Sequence, residues 1–520
     1  MRIGYSSVFG FRPHVEHTYY LSRLAEEAGA SSFYFVCDSS VPTCYNRILK
    51  QQGAAKACTS CIAGGLRSYP PKKTFSANAR YRIRMSEGKW QKIVESSAAS
   101  LHRIETPEQL KETVVQQTIV SLRNSVEIIY GSAMSWIKNE KLDGMVLFNG
   151  RMDLTRALIE ACNDSGIPFI SHERPWFGHG LLMIPGEGCL SLKENLRMVA
   201  DFKEKPLTLS QVRVAAKILS LRFRKQNDLE WRVFNKEAAS ISWPKVGVSK
   251  KILLTPGSFS EIIGHPERSN SFIHEYTELY DRVIENLKVD PTEIVVRGHP
   301  IWAEKIGSFD GWRADQLYKE WAERNGMFYI SPATTVDTNS LLEQADLIIC
   351  SGGSTGLEAA TLGKKVVVVG SSVYNGAGFA ADVTDENSLA NVNNVWGFDE
   401  REVVRKALRF TYLYSNRFPQ FVQFARAQKP TSYQYFSGAS GSRILEMLSN
   451  QKVSPDDFEI GEDQLAEDSI IHALLNKEWV SLSSYEEPHL ESGKLDISRR
   501  SWLKWLDRAR EAIPQGDRLG

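Results

Sequence analysis

"CSGGSTGLEAATLGKKVVVV", residues 350–369, reads as a strand end, a glycine turn, a helix, a second glycine and a buried strand. Ser351, Ser354 and Thr355 surround Gly352 and Gly353 at the mouth of the first strand. Packing alone does not ask for three hydroxyls there. Free N–H groups at a helix start, together with the positive end of the helix dipole, favour a phosphate, and the hydroxyls add donors at the same spot. Glu358, one helical turn deeper, can accept from sugar or ribose hydroxyls. The plain alternative is that Ser354 caps the helix and the glycines make a tight turn. A cap needs one hydroxyl and not three, so the ligand reading is preferred.

Working outward, the same alternation fills both halves of the chain. "RIGYSSVF", "SFYFVC", "GMVLFNG" and "IPFISHE" are strands of a first half, and Pro13 suits the first turn of a helix carrying Leu21, Leu24, Ala25 and Ala28. Asp153 is placed to cap a helix with Leu154, Ala157, Leu158, Ala161 and Cys162 on one face. A second half begins at "KKILLTPGS". It continues through a helix marked by Tyr276, Leu279, Tyr280, Val283, Ile284 and Leu287, then "EIVVRGHP", "MFYISP", a helix opening near Asp337, "LIIC" and "KVVVVG". The expected fold is α/β: two Rossmann-like domains with a cleft between them. Residues 1–245 form a first domain with a charged helical bridge at 190–245. Residues 246–450 form a second domain, helical over 400–450, and 451–520 a helical, polar tail. Residues 62–125 are polar and mixed and give no clear pattern.

Open parallel sheets bind ligands at the carboxyl ends of their strands. "VVRGHP", 295–300, ends a strand near the serine turn, so Arg297 and His299 are candidate phosphate ligands, the arginine by a bidentate pair. A structural hydrogen bond is the plain reading of that histidine. "FNGRMD", 148–153, and "SHERPWFGHG", 171–180, end successive strands of the first half. Glu173 there is the candidate general base or nucleophile, and Arg174 beside it is expected to keep it ionised. An Arg–Glu pair supporting a loop is equally compatible with those residues. Glu187, Asp153 and His14 are further catalytic candidates.

Cys37, Cys44, Cys58 and Cys61 are spaced such that structural zinc on four thiolates competes with buried or free thiols. Seven cysteines in all suit a reducing compartment better than a disulfide framework. With 520 residues the chain exceeds one core, and 63 Lys+Arg against 62 Asp+Glu leave no global field that would imply nucleic acid. No apolar run approaches the roughly 18 residues of a membrane span, and the start has no signal-peptide layout, so a cytoplasmic protein is expected. The tail "RRSWLKWLDRAREAI", basic with Leu503, Leu506 and Ile513 on one side, is a candidate peripheral membrane contact, a packed helix being the plain account. There is no P-loop, no G-x-G-x-x-G after the first strand, no H-E-x-x-H and no G-x-S-x-G. Asp-x-Asp is absent too, which removes the usual metal-bridged diphosphate ligands.

"FNGR…RALIEACNDSGIPFISHER" and "RGHP…ADLIICSGGSTGLEAATLGKKVVVVG" resemble the capsule polysaccharide biosynthesis family, which includes GT-B transferases of the acidic sugar Kdo. The His-Pro pair and the serine turn are similar to donor motifs of bacterial sialyltransferases, which use CMP-activated sugars. The resemblance implies a metal-independent glycosyltransferase with no catalytic cofactor. His299 with Ser351, Ser354 or Thr355 would hold the donor phosphate, and Glu173 would lie in the catalytic cleft. The implied partners are a nucleotide sugar and a glycan or lipid-linked glycan of a surface polysaccharide. The alternatives are a GT-B-fold nucleotide-sugar epimerase and a non-catalytic sugar-nucleotide-binding subunit.

Overall fold

The computed structural model describes residues 1–62, 71–231, 237–264, 272, 275–305, 311–487 and 493–497. The first unit is built on β1 (Arg2–Ser7), β2 (Ser31–Val36), β3 (Thr74–Ser76), β4 (Gly144–Phe148), β5 (Phe169–Glu173) and β6 (Leu182–Pro185), in the order β3-β2-β1-β4-β5-β6. All neighbours are parallel except β6, which runs antiparallel to β5. The second unit holds β7 (Ile252–Thr255), β8 (Ile294–Arg297), β9 (Phe328–Ile330), β10 (Leu347–Cys350), β11 (Lys365–Val369) and β12 (Ala381–Val383). Their order is β12-β11-β10-β7-β8-β9, parallel throughout. Each sheet therefore reverses direction once, between β1 and β4 and between β7 and β10. Crevices for ligands open outside the strand ends at such reversals. The molecule is two Rossmann-like domains, as the alternation predicts.

Periodicity translates directly into burial. Leu347, Ile348, Ile349 and Cys350 of β10 are fully inaccessible, because helices cover both sheet faces. The six apolar positions of the helix Tyr276–Leu287 are buried, as are all five of the helix Asp153–Ser165. Burying each such aliphatic side chain is worth about 1.5–3 kcal/mol.

The chain corrects one expectation beyond residue 412. After the helix Glu400–Tyr412 the 400–450 stretch does not stay helical. It turns through a π-helical turn and forms the hairpin β13 (Ala425–Lys429) and β14 (Ser432–Phe436), joined by β15 (Lys494–Leu495). This hairpin returns to the first unit: Gly180 donates to Ala425 O, Leu181 exchanges backbone bonds with Gln420, and Tyr435 Oη meets His17 Nδ1 at 2.9 Å. Residues 451–487 carry helices, as expected of that segment. The helices Leu465–Leu475 and Trp479–Ser483 pack on the helix Leu209–Phe223, where Arg409 and the fully buried Glu467 pair at 2.9 Å. The segment 499–513 lies outside the described residues.

The helix Glu87–His102 and the loop after β4 in the first unit meet the loops after β7 and β8 in the second along one seam. Ser96 Oγ donates to Ile263 O, Arg103 donates to the carbonyls of Ile301 and Glu304, and Arg151 donates to Ser260 O. Glu105, buried there, accepts from Phe259 N–H at 2.9 Å. Burial pushes its carboxyl up to about 8, against the opposing pull of that bond. The unfolded carboxyl titrates near about 4.3, so the folded protein holds the extra proton between the two values. The stabilisation is complete at low pH and is lost as pH rises through about 8. The melting temperature of the parent should therefore fall more between pH 6 and pH 9 than that of Glu105→Gln. Identical slopes in the two proteins would refute this assignment.

Candidate active site

In the second unit the chain leaves β10 through Gly352 and Gly353, at φ 95° and 75°, a left-handed geometry that glycine adopts without strain. The helix Ser354–Thr361 starts immediately. Its N-cap is Gly353, so no side chain caps it, and Ser354 is its first residue rather than its cap. The plain reading of the serine turn thus does not hold: the N–H groups at this helix start are left without a side-chain acceptor. Ser351, by contrast, does structural work. Its Oγ accepts from Gly257 N–H at 2.6 Å and ties the β7 loop to the β10 loop, and a Cβ on Gly257 would sit 2.7 Å from that oxygen.

The cleft at this reversal has about 1070 Å³ of space open to solvent. Arg297, His299, Ser351, Ser354, Thr355 and Glu358 all line it. Arg297 is 3% exposed and its fork is held by the carbonyls of Ser331 and Thr334, at 2.6 and 3.0 Å. Its Nε is buried without a partner. Each terminal nitrogen gives one N–H to the backbone, so the expected bidentate grip on phosphate would use the N–H groups that remain. Arg297, Arg222 and Lys225 line the cleft together with the carboxylates of Glu261 and Glu358. His299 Nδ1 accepts from Ile301 N–H at 3.1 Å, which places the proton of the neutral ring on Nε2. Glu358 is 6% exposed and takes both bonds from Arg222, at 3.0 and 2.8 Å, on Oε1.

In the first unit three strand ends converge. His14 opens the helix His14–Glu27 after β1, Asn149 follows β4 and Glu173 ends β5. His14 Nε2 lies 3.1 Å from Glu173 Oε1, Asn149 Nδ2 donates to Oε2 at 3.0 Å, and Arg174 N–H donates to Oε1 at 3.0 Å. Burial raises the Glu173 pKa above its ordinary value although Arg174 and Asn149 pull it down. Arg174 favours the ionised form, as expected, but desolvation outweighs the guanidinium, whose Nε is 3.8 Å away. Behind Glu173, burial holds His14, His17 and His172 neutral, the last lowered to about 3. The Glu173 side chain is 19% exposed and that of His14 only 6%, so the carboxylate is the more accessible of the two and the imidazole lies behind it.

A chain of side chains joins the two half-sites. Arg222 lies between Glu358 and Glu230, which it pairs with closely, and Glu230 Oε2 accepts from Trp176 Nε1 at 3.1 Å. The next residue, Trp231, stacks 3.8 Å from the Arg174 guanidinium. Nothing in the sequence distinguishes Arg222 from other cations of the charged bridge. Asn149 lies within the "FNGR" stretch and is found once strand ends are inspected residue by residue.

Other candidates fall elsewhere. Asp153 is fully buried and follows the N-cap Met152; its carboxylate accepts from the backbone N–H of Leu154 and Tyr45, both at 2.8 Å. It braces two segments and does not reach the cleft. Glu187 contributes its carbonyl, which accepts from Ser171 Oγ at 2.8 Å. Among the described residues no three His, Cys, Asp or Glu side chains come together to hold a metal ion. Cys37 and Cys44 are buried, and burial raises both thiols, Cys37 to about 11. No described helix is long and apolar enough to cross a membrane.

Residues 267–417, most of the second unit, match the family model of the capsule polysaccharide biosynthesis protein. No curated protein matches the chain. Among solved structures it is similar to the KpsC beta Kdo 2,4 transferase of Thermosulfurimonas dismutans, with 15% identity over 60% of this chain and 87% of that one, and a TM-score of 0.33. It is also similar to a putative UDP-N-acetylglucosamine 2-epimerase from Listeria monocytogenes (12% identity, 88% and 99% covered, TM-score 0.27). The UDP-GlcNAc 2-epimerase of Neisseria meningitidis stands alike, at 12% identity, 86% and 100% covered, TM-score 0.28. None of these three likenesses assigns an activity to this chain.

Proposed function

We propose that this protein is a glycosyltransferase of capsule-type polysaccharide synthesis, taking a sugar from a nucleotide donor held by the second unit to an acceptor held by the first. The observation that carries it is an uncapped helix start behind a glycine turn in the second unit, with a strand-end carboxylate of raised pKa in the first. The N–H groups of Ser354 and Thr355, their hydroxyls and His299 Nε2–H would take the donor phosphate. Charge developing on the leaving phosphate would be stabilised by these fixed dipoles and by the buried Arg297, without a metal ion. Glu358 Oε2, which takes no bond from Arg222, is the candidate ribose acceptor. Glu173 would remove the acceptor hydroxyl proton, with His14 and Asn149 fixing its orientation. CMP-Kdo heads the donors to test, because the His-Pro pair and the serine turn resemble motifs of transferases that use CMP-activated acidic sugars.

Product analysis after incubation with CMP-, UDP- and GDP-sugars tests this reading. Transfer to a glycan supports it; an epimerised donor, or binding without turnover, would overturn it. On the donor side, Ser354→Ala and His299→Asn should each weaken nucleotide binding by about 1–3 kcal/mol, the size of a lost charge-assisted bond. Asparagine is chosen because the His299 side chain caps the turn Pro300–Ala303, and asparagine keeps a capping acceptor. Unchanged calorimetric affinity in both variants would place the donor elsewhere.

A further inference from the structure

The overall charge balance hides a segregated stretch on the first unit. Residues 71–86 contain Lys72, Lys73, Arg80, Arg82 and Arg84 and no acidic residue. We infer that this ridge docks an acidic polysaccharide, the growing acceptor chain of the transfer proposed above, on which reading the inference rests.

Lys73 is paired with Glu26 at 3.2 Å and Arg82 with the buried Glu127 at 2.6 Å. Lys72, Arg80 and Arg84 are exposed and have no carboxylate partner among the described residues. The ridge backbone is fixed rather than loose. Asn78 N–H donates to Ser132 Oγ, Ile83 N–H to Glu127 O and Met85 N–H to Glu127 Oε1. The helix Thr113–Glu140 can approach this closely because residue 131 is glycine: a Cβ there would sit 1.9 Å from Tyr81 O. A fixed backbone spares the ridge the cost of ordering a loop when an anionic chain settles on it.

Position and composition select the occupant. β3 is the edge strand, four strands away from β5. At about 4.8 Å per strand that is ~19 Å from the strand that ends in Glu173, a span suited to an extended polymer and not to a single sugar. A membrane surface would call for an apolar face, yet Ile83 is the one large aliphatic side chain exposed among the described ridge residues, at 42%. Single-stranded nucleic acid needs open aromatic platforms. Here the Tyr81 ring is covered by the Arg80 guanidinium at 4.6 Å and packs on Phe75 at 5.5 Å.

The test uses the full chain and polygalacturonate oligomers as the acidic probe, with dextran as the neutral control and phosphatidylglycerol vesicles as the membrane control. Polygalacturonate should bind with an affinity that falls as salt rises, and dextran should not bind. The triple variant Lys72→Gln/Arg80→Gln/Arg84→Gln should bind polygalacturonate about tenfold or more weakly, with a shallower salt dependence. Its nucleotide affinity and melting temperature should match the parent's, which excludes misfolding. Equal polygalacturonate affinity in parent and variant, equal binding of dextran, or binding to vesicles alone would overturn the inference. A failure of the transferase reading shows itself separately, as an epimerised donor or no sugar transfer by the parent chain, an outcome that the polygalacturonate binding measurement does not depend on.

Discussion

Glu173→Gln should transfer sugar at least ~10²-fold more slowly than the parent, the loss expected when a general base is removed. The substitution keeps the side-chain volume and an oxygen that can still accept from a backbone N–H or from Asn149 Nδ2. Folding and nucleotide affinity should therefore be near those of the parent, and the loss should fall in kcat. Because burial raises the Glu173 pKa, the acid limb of the parent's rate profile should lie above the roughly 4.3 of an ordinary carboxylate. The rate falls as pH drops through that value, since only the ionised form can accept a proton. Single-turnover kinetics across pH check both points. A Glu173→Gln enzyme with parental turnover would reduce Glu173 to a loop support held by His14, Asn149 and Arg174.

The largest stability effect is expected at Arg222. Its side chain is 5% exposed and lies between Glu230 and Glu358, themselves 7% and 8% exposed. Burial works against its charge, but the two carboxylates more than compensate and hold it protonated. Arg222→Met leaves two buried carboxylates with no cation between them. Removing one partner of a buried ion pair costs about 3–5 kcal/mol. Urea unfolding at neutral pH should show that loss. Adding Glu230→Gln should restore part of it by removing one of the stranded charges. A destabilisation under about 1 kcal/mol would mean that the two carboxylates are solvated and the bridge is not a buried triad.

Much of the architecture was open to reading before any coordinates. The runs "LIIC", "KVVVV" and "ILLT" are β-branched and apolar without alternation, which only a strand covered on both faces tolerates, and they became β10, β11 and β7. Leu154, Ala157, Leu158, Ala161 and Cys162 share a face at helical spacing and are buried together for that reason. Strand-end logic then led to His14, Glu173, His299, Ser354 and Thr355, since a parallel sheet presents ligands at its carboxyl edge whatever the side chains are. The hairpin β13–β14 was missed because its strands, "ARAQK" and "SYQYF", are short and polar. They are held by packing on the first unit, a partner some 250 residues away in sequence for the Arg174–Pro430 contact.

The division between the two sources of information follows from range. Local spacing determined the strands, the crossover helices, the glycine turn before Ser354 and the absence of a P-loop, because each depends on backbone geometry within a few residues. Only the tertiary structure decided what each polar side chain is used for. Arg297 is held by the carbonyls of Ser331 and Thr334, Ser351 by Gly257 and Asp153 by Tyr45, and Glu358 is anchored by Arg222 from 136 residues away. A buried donor or acceptor must be satisfied by whatever group the fold brings beside it, and that group is usually distant in sequence. The same holds for charge. Arg174 adjoins Glu173 in the chain, yet the carboxylate's pKa is set first by burial, a property of the assembled domain.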